Sequence, residues 1–140
     1  NLLKRTIKTP KMYFFDTGLV AYLTKYSSPE ILMNGAMNGA TLENYTVNEI
    51  RKTWLNSAKE CLLYYYRDKD TNEIDMVIEA DGELHPLEIK KSTNPGTELV
   101  SAFTVLDKGS VPRGTGAILC LREDLSAIDR STFILPIWMI

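Results

Sequence analysis

The dipeptide Asp81-Gly82 lies between two runs of alternating apolar and polar residues, and it constrains the fold more than any other feature. Asp-Gly suits a two-residue turn whose central positions both need positive φ, so the pair predicts a tight β-hairpin. Glu73 to Glu79 leads into the turn and Leu84 to Lys90 leads out of it. Such a turn also fixes register. Ala80 is expected to face Glu83, Glu79 to face Leu84, Val77 to face Pro86, and Asp75 to face Glu88. Directly opposed residues project from one face with Cβ atoms roughly 5 Å apart. Lys90 follows on the same face one pleat repeat away, about 7 Å. The alternation places Ile74, Met76 and Ile78 on one face of the first strand, and Asp75, Val77 and Glu79 on the other.

Two carboxylates opposed on a hairpin repel each other. A divalent cation between Asp75 and Glu88 turns that repulsion into binding, and Mg²⁺ or Mn²⁺ suits such oxygen ligands. A metal in this position activates water and offsets charge on a phosphoryl oxygen, while Lys90 supplies a further positive charge. The simpler account is a solvated face carrying a Glu88–Lys90 pair. Register alone leaves the two balanced.

The rest of the chain reads as an α/β fold. Lys11 to Phe15 predicts a short aromatic strand, Asp16 a helix N-cap, and Gly18 to Leu23 a short apolar helix. The Pro, Gly and Asn residues between Ser27 and Ala40 predict a loop. Thr41 to Ser57 predicts a helix whose apolar stripe carries Leu42, Val47, Ile50 and Trp54, with Tyr45 nearby. Glu43 falls on or beside that stripe. Taken alone, it is most simply a first-turn carboxylate favoured by the helix dipole. Leu62 to Tyr66 predicts a strand, followed by a polar turn at Asp68 to Asn72. Pro95 to Lys108 predicts a helix bearing Leu99, Phe103 and Leu106. The unbroken apolar run Gly116 to Leu121 predicts a buried central strand, and Phe133 to Trp138 a final one.

The 140 residues carry 44% hydrophobic and 24% charged side chains, which suits a folded domain and not a disordered one. The net charge of -2 removes the basic footprint usual for duplex binders. The clusters Lys4-Arg5-Lys8-Lys11 and Lys90-Lys91 remain as local phosphate contacts or, more simply, solvated faces. Cys61 and Cys120 are expected to be buried free thiols, and one histidine, His85, with no Cys-x-x-Cys, argues against a structural zinc site. His85 is read as structural, and Tyr64-Tyr65-Tyr66 as strand and core residues before a protein-binding patch. No apolar run reaches the ~20 residues needed to cross a bilayer, so no membrane partner is expected. The start at Asn1 and the lack of a signal pattern suggest part of a longer cytoplasmic protein.

Asn72-Glu73-Ile74-Asp75, then twelve residues, then Glu88-Ile89-Lys90-Lys91-Ser92, resembles the PD-(D/E)XK nuclease superfamily. The element order also resembles its restriction-endonuclease-like α-β-β-β-α-β core with a mixed central sheet. Thr9-Pro10-Lys11-Met12-Tyr13-Phe14-Phe15-Asp16-Thr17-Gly18-Leu19, with Tyr65-Tyr66-Arg67-Asp68 and Glu73-Ile74-Asp75, resembles the DUF4143-type domain that follows the core of AAA-type ATPases in bacteria and archaea. The resemblance implies residues 41–140 as a nuclease-like domain and residues 1–40 as a linker or winged-helix remnant of an upstream domain. It implies Glu43, Asp75, Glu88 and Lys90 as the catalytic set, with Asp75 and Glu88 holding Mg²⁺ or Mn²⁺. DNA becomes the expected substrate and an N-terminal ATPase domain the expected partner. Ile74 stands where the superfamily often has proline. No Gly-x-x-x-x-Gly-Lys-Ser/Thr loop occurs, so no ATP site is expected within these residues. The alternative is a domain of the same fold that docks to or regulates the ATPase without catalysis.

Overall fold

The computed structural model describes residues 9–70 and 72–140. Lys4, Arg5 and Lys8 of the basic cluster lie outside the described residues. Among the described residues the first elements are three helices: α1 (Thr17–Leu23), α2 (Pro29–Asn34) and α3 (Asn38–Asn56). The strands β1 (Leu62–Arg67), β2 (Glu73–Ala80) and β3 (Glu83–Lys90) follow, then a 3₁₀ helix over Thr97–Lys108. β4 (Gly116–Cys120), β5 (Ser126–Ala127) and β6 (Thr132–Pro136) complete a six-stranded mixed sheet of order β1-β2-β3-β4-β6-β5. β1, β2 and β3 pair antiparallel, β3, β4 and β6 pair parallel, and β5 returns antiparallel to β6.

Helix and 3₁₀ helix sandwich this sheet. Val47 and Ile50 of α3 pack on Met76, Leu87, Ile89, Ala117 and Leu119. On the opposite face Phe103, Val105 and Leu106 of the 3₁₀ helix pack on Tyr66, Ile74 and Val77. β4 therefore alternates into two cores, Ala117 and Leu119 into one and Ile118 and Cys120 into the other, and every residue of it is buried. This is why its sequence is an unbroken apolar run.

Asp81 and Gly82 adopt φ of 51° and 81°, the backbone that the turn demands. The register that follows is the expected one, from Ala80↔Glu83 to Met76↔Leu87. The pairing then stops one residue short of Asp75 and Glu88. The cause lies on the other side of β2. β1 pairs Tyr64 with Val77 but Tyr66 with Ile74, so Asp75 and Met76 together oppose Tyr65 alone. This β-bulge puts Ile74 and Val77 in the same core, whereas strict alternation placed them on opposite faces.

Other expectations are corrected too. Lys11 to Phe15 forms no strand and pairs with none. Side chains of α3 hold it at Phe14: the Phe14 N–H donates to Asn44 Oδ1 at 2.7 Å, and the Phe14 carbonyl accepts from Asn44 Nδ2 at 3.0 Å and from Asn48 Nδ2. The expected loop at 27–40 contains α2, whose N-cap Ser28 accepts from the Ile31 N–H and whose first residue is proline. Pro95 to Lys108 is helical, but as a 3₁₀ helix. Cys120 is buried, while Cys61 is only half-buried, and neither forms a disulfide. His85 Nδ1 hydrogen-bonds the Thr115 carbonyl at 3.0 Å, a structural contact.

Asn44→Ala removes two of the hydrogen bonds holding the Lys11 to Phe15 strap. Amide exchange at Phe14 is then expected to accelerate roughly tenfold or more, while the β4 amides keep their protection. Unchanged exchange at Phe14 would show that the strap is held by other contacts.

Candidate active site

The bulge and the end of the β2–β3 ladder create the site. Where a backbone carbonyl of β2 would accept from β3, the Asp75 side chain does so instead: the Ile89 N–H donates to Asp75 Oδ2 at 2.9 Å. Asp75 is thereby fixed by the backbone of the strand that carries Glu88 and Lys90. Lys90 Nζ lies 2.8 Å from Glu88 Oε2 and 3.2 Å from Asp75 Oδ2. One ammonium thus joins both carboxylates at the position where opposed acids require a positive charge.

Glu88 is buried, its side chain only 6% exposed. Burial, then the adjacent Asp75 charge, pushes its carboxyl up to about 7, against the opposing pull of Lys90. For Lys90 burial acts downward, but the Glu88 hydrogen bond and the two carboxylate charges outweigh it and raise its pKa. Raising an acid's folded-state pKa makes the folded state bind the proton more tightly than the unfolded state. The stability it contributes is full below the ordinary value of 4.5 and is lost as pH rises through about 7. Metal-free protein should therefore melt at lower temperature at pH 8 than at pH 5.5, and Glu88→Gln should flatten that slope. A slope that survives Glu88→Gln would assign the effect to another group.

Glu43 stands differently. Because α3 begins at Asn38, Glu43 lies beyond the first turn, and the helix-dipole explanation lapses. Its Oε1 accepts from Tyr13 Oη at 2.7 Å and from Lys11 Nζ at 3.1 Å. Lys11 also reaches Glu73 Oε1 at 3.3 Å. Burial lowers the Lys11 pKa, but hydrogen bonding and charge from Glu43, then Glu73 and Asp75, raise it overall. Tyr13 is held protonated by burial, by its bond to Glu43 and by the surrounding carboxylates. Asp75, Glu88 and Lys90 are thus brought into direct contact, while Glu43 is engaged by the strap in a neighbouring cluster whose Lys11 feels the Asp75 charge. Among the described residues no three acidic, histidine or cysteine side chains gather as a metal cluster. Asp75 and Glu88 could offer a cation two carboxylates. Two carboxylates with the remaining positions left to water fit Mg²⁺ or Mn²⁺.

Lys11 and Tyr13 are the residues that sequence reasoning passed over as part of a site. Their signal was present, since both fall in the Pro-Lys-Met-Tyr-Phe-Phe-Asp-Thr-Gly-Leu run.

A family model described as "Domain of unknown function (DUF4143)" matches residues 38–140. Uncharacterized proteins of Mycobacterium bovis and Mycobacterium tuberculosis are each 28% identical over 95 residues, which cover 68% of this chain and 21% of theirs. The chain thus spans about a fifth of the length of these curated relatives. No solved structure matches. No helix among the described residues is long and apolar enough to cross a membrane.

Proposed function

The chain belongs to the DUF4143 family, and on that premise we propose that it is a nuclease-like domain of PD-(D/E)XK type, attached to an AAA-type ATPase, that hydrolyses DNA phosphodiesters with a divalent metal. The observation that carries this reading is the direct contact of Lys90 with both Glu88 and Asp75 at the open end of the β2–β3 ladder. Asp75 and Glu88 are the residues to hold Mg²⁺ or Mn²⁺. When bound, the metal polarises a phosphoryl oxygen and supplies an activated water.

The chain's own residues divide the remaining work. The Ile89 N–H holds the Asp75 carboxylate in place. Glu88 must lose its proton to act as a ligand, and the neighbouring ammonium favours that loss. Lys90, released from the carboxylates, turns toward the phosphate and stabilises charge developing on it. Lys11 and Tyr13 position Glu43 beside the site.

A second reading is a docking or regulatory domain of the same ATPase. It is favoured by the concentration of exposed apolar residues before and along α1, where Met12 is 85%, Phe15 70% and Tyr22 72% exposed. Incubating the intact ATPase-linked protein with plasmid and single-stranded DNA, with Mg²⁺ or Mn²⁺, separates the two. Cleavage that Asp75→Ala abolishes supports the nuclease. No cleavage with any divalent ion, together with altered ATPase activity in Asp75→Ala, supports docking.

A further inference from the structure

Beside Asp75 the strap, α3 and the β1–β2 edge enclose a pocket of about 320 Å³. Its volume is at the lower end of the ~300–1,000 Å³ typical of ligand sites, which suits one small planar group. Its walls include Tyr13, Phe15 and Tyr65, with Asn48 and Arg51 from α3, and Asp75 at the edge shared with the Lys90 cluster. The Arg51 guanidinium lies over the Phe15 ring, 4.6 Å from its centroid. The Lys11 ammonium lies over the Tyr65 ring at 5.3 Å.

We infer that this pocket seats one unstacked nucleobase, so that the nucleic acid taken by the Asp75–Glu88–Lys90 site is single-stranded or locally unpaired. The inference rests on the hydrolytic reading for the neighbouring site and names its substrate class.

Three observations carry it. Aromatic faces and a guanidinium plane are the surfaces on which splayed-out bases stack. Asn48 lines the same wall, and its Nδ2, by donating to the Phe14 carbonyl, holds the strap that carries Phe15 beside the pocket. The third observation is electrostatic. The chain has a net charge of -2, and Lys11 is already paired with Glu43 and Glu73. Phosphate neutralisation is therefore a weak source of affinity here, and base stacking must supply it. Bases inside a duplex are stacked on one another and cannot enter. Because Asp75 both lines the pocket and contacts Lys90, a base seated there brings its own backbone phosphate to the candidate active site.

The test is fluorescence anisotropy with the intact protein in EDTA, using a labelled 12-nucleotide single strand and the blunt duplex of the same sequence. Single-strand binding should be the tighter. It should weaken by roughly tenfold in Tyr65→Leu, which keeps apolar bulk but removes the ring. Phe15→Ala provides a second variant at an exposed position that cannot unfold the core, and it should weaken single-strand binding in the same direction. Equal affinity for duplex and single strand, or indifference to both variants, overturns the inference. So does failure to bind either nucleic acid while Tyr65→Leu releases the ATPase domain, which would make the pocket a protein-docking groove. Preferential, Tyr65-dependent single-strand binding without cleavage under any divalent ion keeps the pocket and removes the hydrolytic reading. Cleavage of duplex unaffected by Tyr65→Leu does the reverse.

Discussion

Lys90→Ala is expected to lower DNA cleavage by the intact protein about 10²–10³-fold, the usual effect of removing one charge that stabilises the transition state. The metal response should move the other way. In the wild-type protein the ammonium sits 2.8 Å from Glu88 and 3.2 Å from Asp75, so a divalent ion must compete with it for both carboxylates. Without the lysine, the Mg²⁺-induced rise in Tm should exceed that of the wild type. Metal-free Lys90→Ala should in turn be less stable, because two adjacent carboxylates lose their counter-charge. Breaking a buried pair costs about 3–5 kcal/mol, and the 34% exposure of the lysine side chain reduces that to roughly 1–3 kcal/mol. Loss of cleavage with no change in metal response would mean that Lys90 does not contend for the metal position. Full retention of cleavage would remove Lys90 from the chemistry.

The largest loss of stability is expected from Phe103→Ala, about 3–5 kcal/mol. Phe103 is 1% exposed and packs with Tyr66, Ile74, Val77 and Leu106. Its ring also occupies the space beside Gly116, where an added Cβ would lie 2.9 Å from the ring edge. The cavity therefore borders β4 as well as β2, at the centre of the sheet. Urea melts should show a lower midpoint with an unchanged slope. Gly116→Ala should cost less in the Phe103→Ala background than in the wild type, since the obstructing ring is gone. Additive costs would show that the two positions relax independently.

The parts of this fold that depend on nearest neighbours were readable from sequence. Asp81-Gly82 set the β2–β3 register through turn backbone alone, and the Gly116 to Leu121 run announced a strand buried on both faces. The parts that depend on a distant partner were not. The bulge at Asp75 and Met76 is written in how β1 meets β2, and no local pattern marks it. Lys11 to Phe15 has the composition of a strand but pairs with none. Its hydrogen-bond partners are Asn44 and Asn48, some thirty residues on, which propensity cannot see. The helix α2 was a different failure. Ser28, Pro29 and Glu30 carry a start signal, but the glycines and asparagines that follow outweighed it. At the candidate site, sequence named Asp75, Glu88 and Lys90, which the fold brings together. The Lys11–Tyr13–Glu43 contacts required the strap to lie on α3.

The 3₁₀ character of Thr97–Lys108 has a consequence of reach. At about 2.0 Å rise per residue, twelve residues span about 24 Å, against about 18 Å for an α-helix of equal length. With three residues per turn, Val100, Phe103 and Leu106 fall in a straight file instead of a slanting stripe, and that file lies along the sheet. The 3₁₀ helix between the parallel strands β3 and β4 thereby packs on residues of β1, β2, β4 and β6. Rewinding it to α geometry would shorten the cover by about 6 Å and swing Leu106 off the file, opening the floor under Ile74 and with it the strand that presents Asp75.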